Sequence, residues 1–134
     1  MGMLARLFFW GYALMLVGIG ASGMLVAGWE LPAIFGVGVD AMGEPQRATL
    51  LNQYRFLKAL ELAFGVFCLA YRREIFLQPR DLRVFLFGLS AGVAARLGSW
   101  IFDGTPRPVF IAFAVLELLT GVLVWIAFHR RKPE

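Results

Sequence analysis

Five ionisable side chains interrupt segments that are otherwise apolar: Arg55, Lys58 and Glu61 in one stretch, Arg96 in a second and Glu117 in a third. Arginine and lysine bring fixed donors, and glutamate brings an acceptor or, when protonated, an acid. Such a set suits ion pairing, capture of a phosphate or carboxylate, or acid–base chemistry. Asn52, Arg55, Lys58 and Glu61 recur every three residues, so at about 100° per helical residue they drift across one broad side. Lys58 and Glu61 are spaced to pair directly, and Arg96 with Glu117 is the preferred pair between helices. Three positive charges against two negative leave one that Asp103 or an anionic ligand offsets. Asn52, Arg55, Lys58, Glu61, Arg96, Asp103 and Glu117 are therefore the candidate ligand-binding residues.

Other chemistries find little support. Cys68 is the single cysteine, which excludes an internal disulfide, and its apolar setting marks a small buried side chain. His129 stands beside Arg130, Arg131 and Lys132 with no second imidazole or carboxylate cluster near it, so it reads as an interfacial residue rather than a metal ligand. Gly18-Ile19-Gly20-Ala21-Ser22-Gly23 has the spacing of a dinucleotide loop but lies inside an apolar run with no preceding strand. Helix packing is the better reading, with Gly11 and Gly18 sharing one face. No Ser, His and Asp grouping and no phosphate loop is present. No metal, cofactor or catalytic residue is expected.

The elements that position the charges follow from composition. The chain has 134 residues, 60% hydrophobic and 16% charged, against nearly half and a quarter in ordinary soluble domains. Apolar runs cover about residues 4–28, 48–71, 82–102 and 108–128. At about 1.5 Å per residue each is long enough to cross a hydrocarbon core near 30 Å thick. The expected fold is all-α: one domain, residues 1–134, forming a four-helix transmembrane bundle. Residues 30–47, with Pro32, Pro45 and several glycines, read as a loop whose stretch 31–39 can lie on the membrane surface. The tight turn Asp103-Gly104-Thr105-Pro106 makes the last two helices antiparallel neighbours, and Pro108 suits a first helical turn. A secretory signal is the alternative for the first run, with Ala21-Ser22-Gly23 as its cleavage site, but the run exceeds a usual signal core.

Charge asymmetry orients the spans. Arg6, then Arg72, Arg73, Arg80 and Arg83, then Arg130, Arg131 and Lys132 fall on one side, and only Arg47 and Arg107 on the other. Positive residues near helix ends stay cytoplasmic, so both termini are expected inside. Trp10, Trp29, Trp100 and Trp125 lie near the ends of the runs, as interface anchors do. The net charge of +4 is distributed as topology signals, so nucleic acid is not an expected partner.

A charge at mid-membrane costs about 2.5–3.5 kcal/mol, so five facing lipid would cost on the order of 12–17 kcal/mol. Small residues at Gly88 and Gly92, continued by Ala95, Arg96 and Ser99, carry Arg96 inward. The expectation is a polar cluster among the second, third and fourth helices, open to the outer surface and floored by Glu61 and Glu117. The first helix is left as a peripheral scaffold. Equally open is pairing that only fixes helix register, with Arg55 and Lys58 snorkelling to headgroups.

Arg55, Ala95-Arg96 followed by Ser99, the turn at residues 103–106 and Glu117 together resemble an uncharacterised bacterial family of small four-helix membrane proteins. That family is a domain of unknown function broadly similar to DoxX-like proteins. The resemblance covers nearly the whole chain and implies a multi-pass protein of the bacterial inner membrane. Where family members carry an aromatic residue and glycines after the arginine, this chain has Lys58-Ala59-Leu60.

Three functions follow. The cluster holds the head of an amphipathic molecule, lipid or quinone-like, with membrane lipids as partners. Alternatively the protein is an accessory subunit of a larger membrane complex, or a homo-oligomer. Third, Glu61 or Glu117 serves as acid or base in an intramembrane enzyme acting on lipid.

Overall fold

The structure is a computed structural model that describes residues 2–130. Arg131 and Lys132, counted above for orientation, lie outside the described residues. The elements are α1 (Met3–Ala33), a single 3-10 turn (Val39–Ala41), α2 (Glu44–Ala70), α3 (Glu74–Leu77), α4 (Pro79–Asp103) and α5 (Pro108–His129). The four apolar runs correspond to α1, α2, α4 and α5, and α3 is a short helix within the second loop.

Three of these helices, α1, α4 and α5, are long and apolar enough to cross a membrane. The protein is therefore an all-α, multi-span membrane protein. At 27 residues α2 is about 40 Å long, but its apolar half still holds Arg55, Lys58 and Glu61.

Several helices run past the expected bounds, α1 to Ala33, α2 from Glu44 and α4 from Pro79. α1 continues five residues past Gly28 and closes on Gly36, whose φ of 69° is in the left-handed region. Val37 N donates to Leu31 O (3.0 Å) and Gly36 N to Pro32 O (3.2 Å), a paired closure that satisfies the last carbonyls. α4 ends at Gly104, with φ of 101°, and Pro79 and Pro108 open α4 and α5.

The chain forms two compact units. One comprises residues 1–12 and 68–134, in which α4 packs on α5, and α3 on both. Its core includes Phe9, which meets Phe76 edge-on at 5.2 Å and Phe85 at 5.5 Å, together with buried Ile75, Leu89 and Val124. Aromatic pairs in this geometry add to the burial of their area.

The second unit, residues 13–67, comprises the rest of α1, the 3-10 turn and most of α2. Here the close approaches differ from those expected. Gly18, like Gly11 in the other unit, has open space where a side chain would start, whereas a Cβ on Gly20 would lie 2.6 Å from Leu62 N. Gly20, and Gly65 against Leu16 and Val17, are where α1 and α2 touch. α1 also bends at Val26, which is non-helical at φ −112°, ψ 26°. Arg55 Nε donates to Met24 O at 3.2 Å beside that bend. In an unbroken helix that carbonyl would accept from residue 28, so the side chain supplies an alternative donor where the ladder opens.

Candidate functional site

The charges expected to interact make two sets of contacts. In the unit of residues 13–67, Lys58 is 3% exposed and its Nζ lies 2.9 Å from Glu61 Oε2. The second carboxylate at Lys58 belongs to Glu30, with Oε1 at 4.0 Å. The Lys58 ammonium also faces the rings of Tyr54 at 5.2 Å and Phe35 at 5.6 Å, which themselves pack edge-on. Two carboxylates and two ring faces thus surround one ammonium, an arrangement that offsets its desolvation.

Glu30 was not among the candidates, and it corrects the view of the first helix as only a scaffold. It is buried, and its carboxylate lies close to the Tyr54 hydroxyl. Pro32 and the glycines after it had suggested a loop from residue 30. The contrary signal was there: Trp29, Leu31 and Ala33 keep the stretch apolar, and Gly36 is a suitable helix terminator. Gly23 completes the box, since a Cβ there would meet Lys58 Cδ at 2.5 Å and Glu30 Oε2 at 2.7 Å.

Arg55 and Asn52 lie on α2 but not in this box. They line an open polar cavity of about 610 Å³ with Asp40, Glu44 and Arg47. Within that cavity Arg47 lies 3.8 Å from Asp40, between exposed side chains, a contact worth little.

In the other unit, Arg96 and Glu117 pair as expected. Nε donates to Oε2 at 3.1 Å and Nη2 to Oε1 at 3.3 Å, the two-pronged geometry that makes arginine–carboxylate bonds strong. Glu117 is buried, whereas the Arg96 side chain keeps 28% of its surface exposed. Among the described residues its other N–H donors have no partner. The guanidinium also lies 5.6 Å from the Phe113 ring. Asp103 accepts a 2.7 Å bond from Ser99 Oγ, and Trp100 Nε1 donates to Thr105 Oγ1 at 3.3 Å, so both tie down the end of α4. Asp103 does not reach Arg96.

Arg96 lines a cavity of about 360 Å³ between α4 and α5 with Ser99, Trp100, Pro106, Phe110 and Ile111. Another cavity, about 410 Å³, lies between the same helices and is lined mostly by apolar side chains, Leu86, Leu89, Val93, Leu118 and Val122 among them, with Ser90. Leu97 lines both. The lining positions on α4 run from Leu86 to Trp100, a rise of about 21 Å at 1.5 Å per residue. The two cavities follow one another along α4 and α5 and share Leu97; both are mainly apolar, with Arg96 and Ser99 in the first and Ser90 in the second.

Among the described residues no cluster of His, Cys, Asp or Glu is able to hold a metal. Fold and site define a small helical membrane protein whose buried polar groups form internal salt bridges. Residues 4–128 match the domain of unknown function DUF4345, and the chain belongs to that family. No curated protein and no solved structure matches it.

Proposed function

We propose that the protein binds an amphipathic molecule, lipid or quinone-like, in the groove between α4 and α5. The observation that carries this reading is the partly exposed Arg96 guanidinium in a groove lined mainly by apolar side chains. Glu117 holds the guanidinium in place and neutralises it, so an uncharged acceptor such as a carbonyl or ester is accommodated as well as a phosphate. The apolar stretch past Leu97 takes the tail. The role is binding rather than catalysis, because Glu117 is engaged by Arg96 through both oxygens.

We also infer that α2 is a fourth crossing, with both termini on the cytoplasmic side of a bacterial inner membrane. Lys58 and Glu61 neutralise one another, which removes much of the penalty of carrying them through lipid. The excess of arginine at Arg6, Arg72, Arg73, Arg80 and Arg83 supports the orientation.

Native mass spectrometry after gentle extraction tests the binding reading. The wild-type protein is expected to carry an amphipathic adduct, and Leu97→Trp, which blocks the groove without touching the ion pair, is expected to lose it while remaining folded. An adduct retained in full by a folded Leu97→Trp variant overturns the assignment.

A further inference from the structure

A further cavity, of different chemistry, lies at the arginines that orient the spans. Arg6 from the start of α1 and Arg72 and Arg73 from the turn before α3 line a cavity of about 330 Å³, together with Phe9, Trp10, Phe76 and Leu77. No carboxylate lines it among the described residues. Neither Arg72 nor Arg73 forms an ion pair among the described residues. Arg72 is steadied by its own bond from Nη1 to Leu69 O at 3.0 Å.

The turn that carries these arginines is anchored. Ile75 and Phe76 are buried, Ile75 N donates to Tyr71 O at 2.9 Å and Phe76 N to Arg73 O at 3.2 Å. Phe76 packs edge-on against Phe9, which lies one helical turn from Arg6 on α1. The aromatic floor thus fixes the two segments that supply the guanidiniums. At the rim Trp10 and Leu77 remain 41% and 53% exposed, so apolar surface continues outward from the charged cavity.

We propose that this cavity is a binding site for the headgroup of an anionic phospholipid, distinct from the groove at Arg96. Guanidinium groups match phosphate oxygens in two-pronged geometry, and Arg72 and Arg73, with Arg6 beside them, favour a headgroup of net negative charge over a zwitterionic one. Trp10 and Leu77 distinguish a lipid from free phosphate, because they offer contact to the glycerol and first acyl carbons that inorganic phosphate lacks. Basic cavities beside membrane helices recognise acidic headgroups in this manner.

The test is titration of the detergent-solubilised full chain with phosphatidylglycerol, and with phosphatidylcholine of the same acyl chains, read as bound lipid by native mass spectrometry. Wild type is expected to prefer phosphatidylglycerol. Arg72→Gln with Arg73→Gln is expected to weaken that binding on the order of tenfold, from the loss of two surface-proximal cationic contacts. Arg80→Gln with Arg83→Gln removes the same charge from outside the cavity and is expected to leave binding unchanged. Millimolar inorganic phosphate is expected not to displace the lipid. Equal binding of the two lipids, equal loss in the Arg80 and Arg83 control, or displacement by inorganic phosphate each overturns the proposal. Leu97→Trp separates the two sites: it is expected to keep phosphatidylglycerol binding even where it loses the adduct at the Arg96 groove, and a matching loss would refute an independent site.

Discussion

Lys58 and Arg96 are both cations on helices of a membrane protein, both paired with glutamate, and their surroundings differ. Lys58 is 3% exposed, with two carboxylates and two rings around its ammonium. Arg96 has one carboxylate, a side chain 28% exposed and a groove beside it. The first arrangement consumes the charge within the protein, and the second leaves donors facing a space of molecular size. An intramembrane charge therefore signals a ligand site only where its partners leave part of it unspent.

The largest expected effect of breaking this comparison is at Lys58. Lys58→Ala leaves Glu30 buried without a counter-charge, and loss of one partner from a buried pair costs about 3–5 kcal/mol. Denaturant unfolding in detergent is expected to show this loss, whereas Glu30→Gln with Lys58→Met and Glu61→Gln, which removes the charges together, recovers most of it. Gly23→Ala comes next, because its Cβ would press on Lys58 Cδ and Glu30 Oε2; overpacking of this kind costs about 1–3 kcal/mol. Gly18→Ala is the control, since nothing lies within 4 Å of the added Cβ, and a stability unchanged or raised by up to about 1 kcal/mol is expected.

A smaller effect is expected at the second pair. Glu117→Gln keeps an acceptor for Arg96 and loses the charge, so the cost is about 1–2 kcal/mol, with the partly exposed guanidinium free to seek other acceptors. A cost as large as that of Lys58→Ala would erase the contrast between the regions.

The helices were legible because long apolar runs admit few alternatives, and the pairing of Arg96 with Glu117 followed from the penalty for leaving either in lipid. Glu30 was harder to read, because a proline and three glycines near it imitate a loop although Gly36 suits the end of a longer α1. The packing glycines were misplaced for another reason. Sequence spacing shows which small residues share a face but not which face meets a neighbour, and the neighbours fell on Gly20 and Gly23 rather than Gly11 and Gly18.

The most direct measurement compares adduct retention in two charge-free variants by native mass spectrometry. One replaces Arg96 and Glu117 with Met, and the other carries Glu30→Gln, Lys58→Met and Glu61→Gln. The groove account predicts that the first loses the amphipathic adduct and the second retains it. Retention by a folded Arg96→Met, Glu117→Met protein, or loss only in the Lys58 variant, would contradict it.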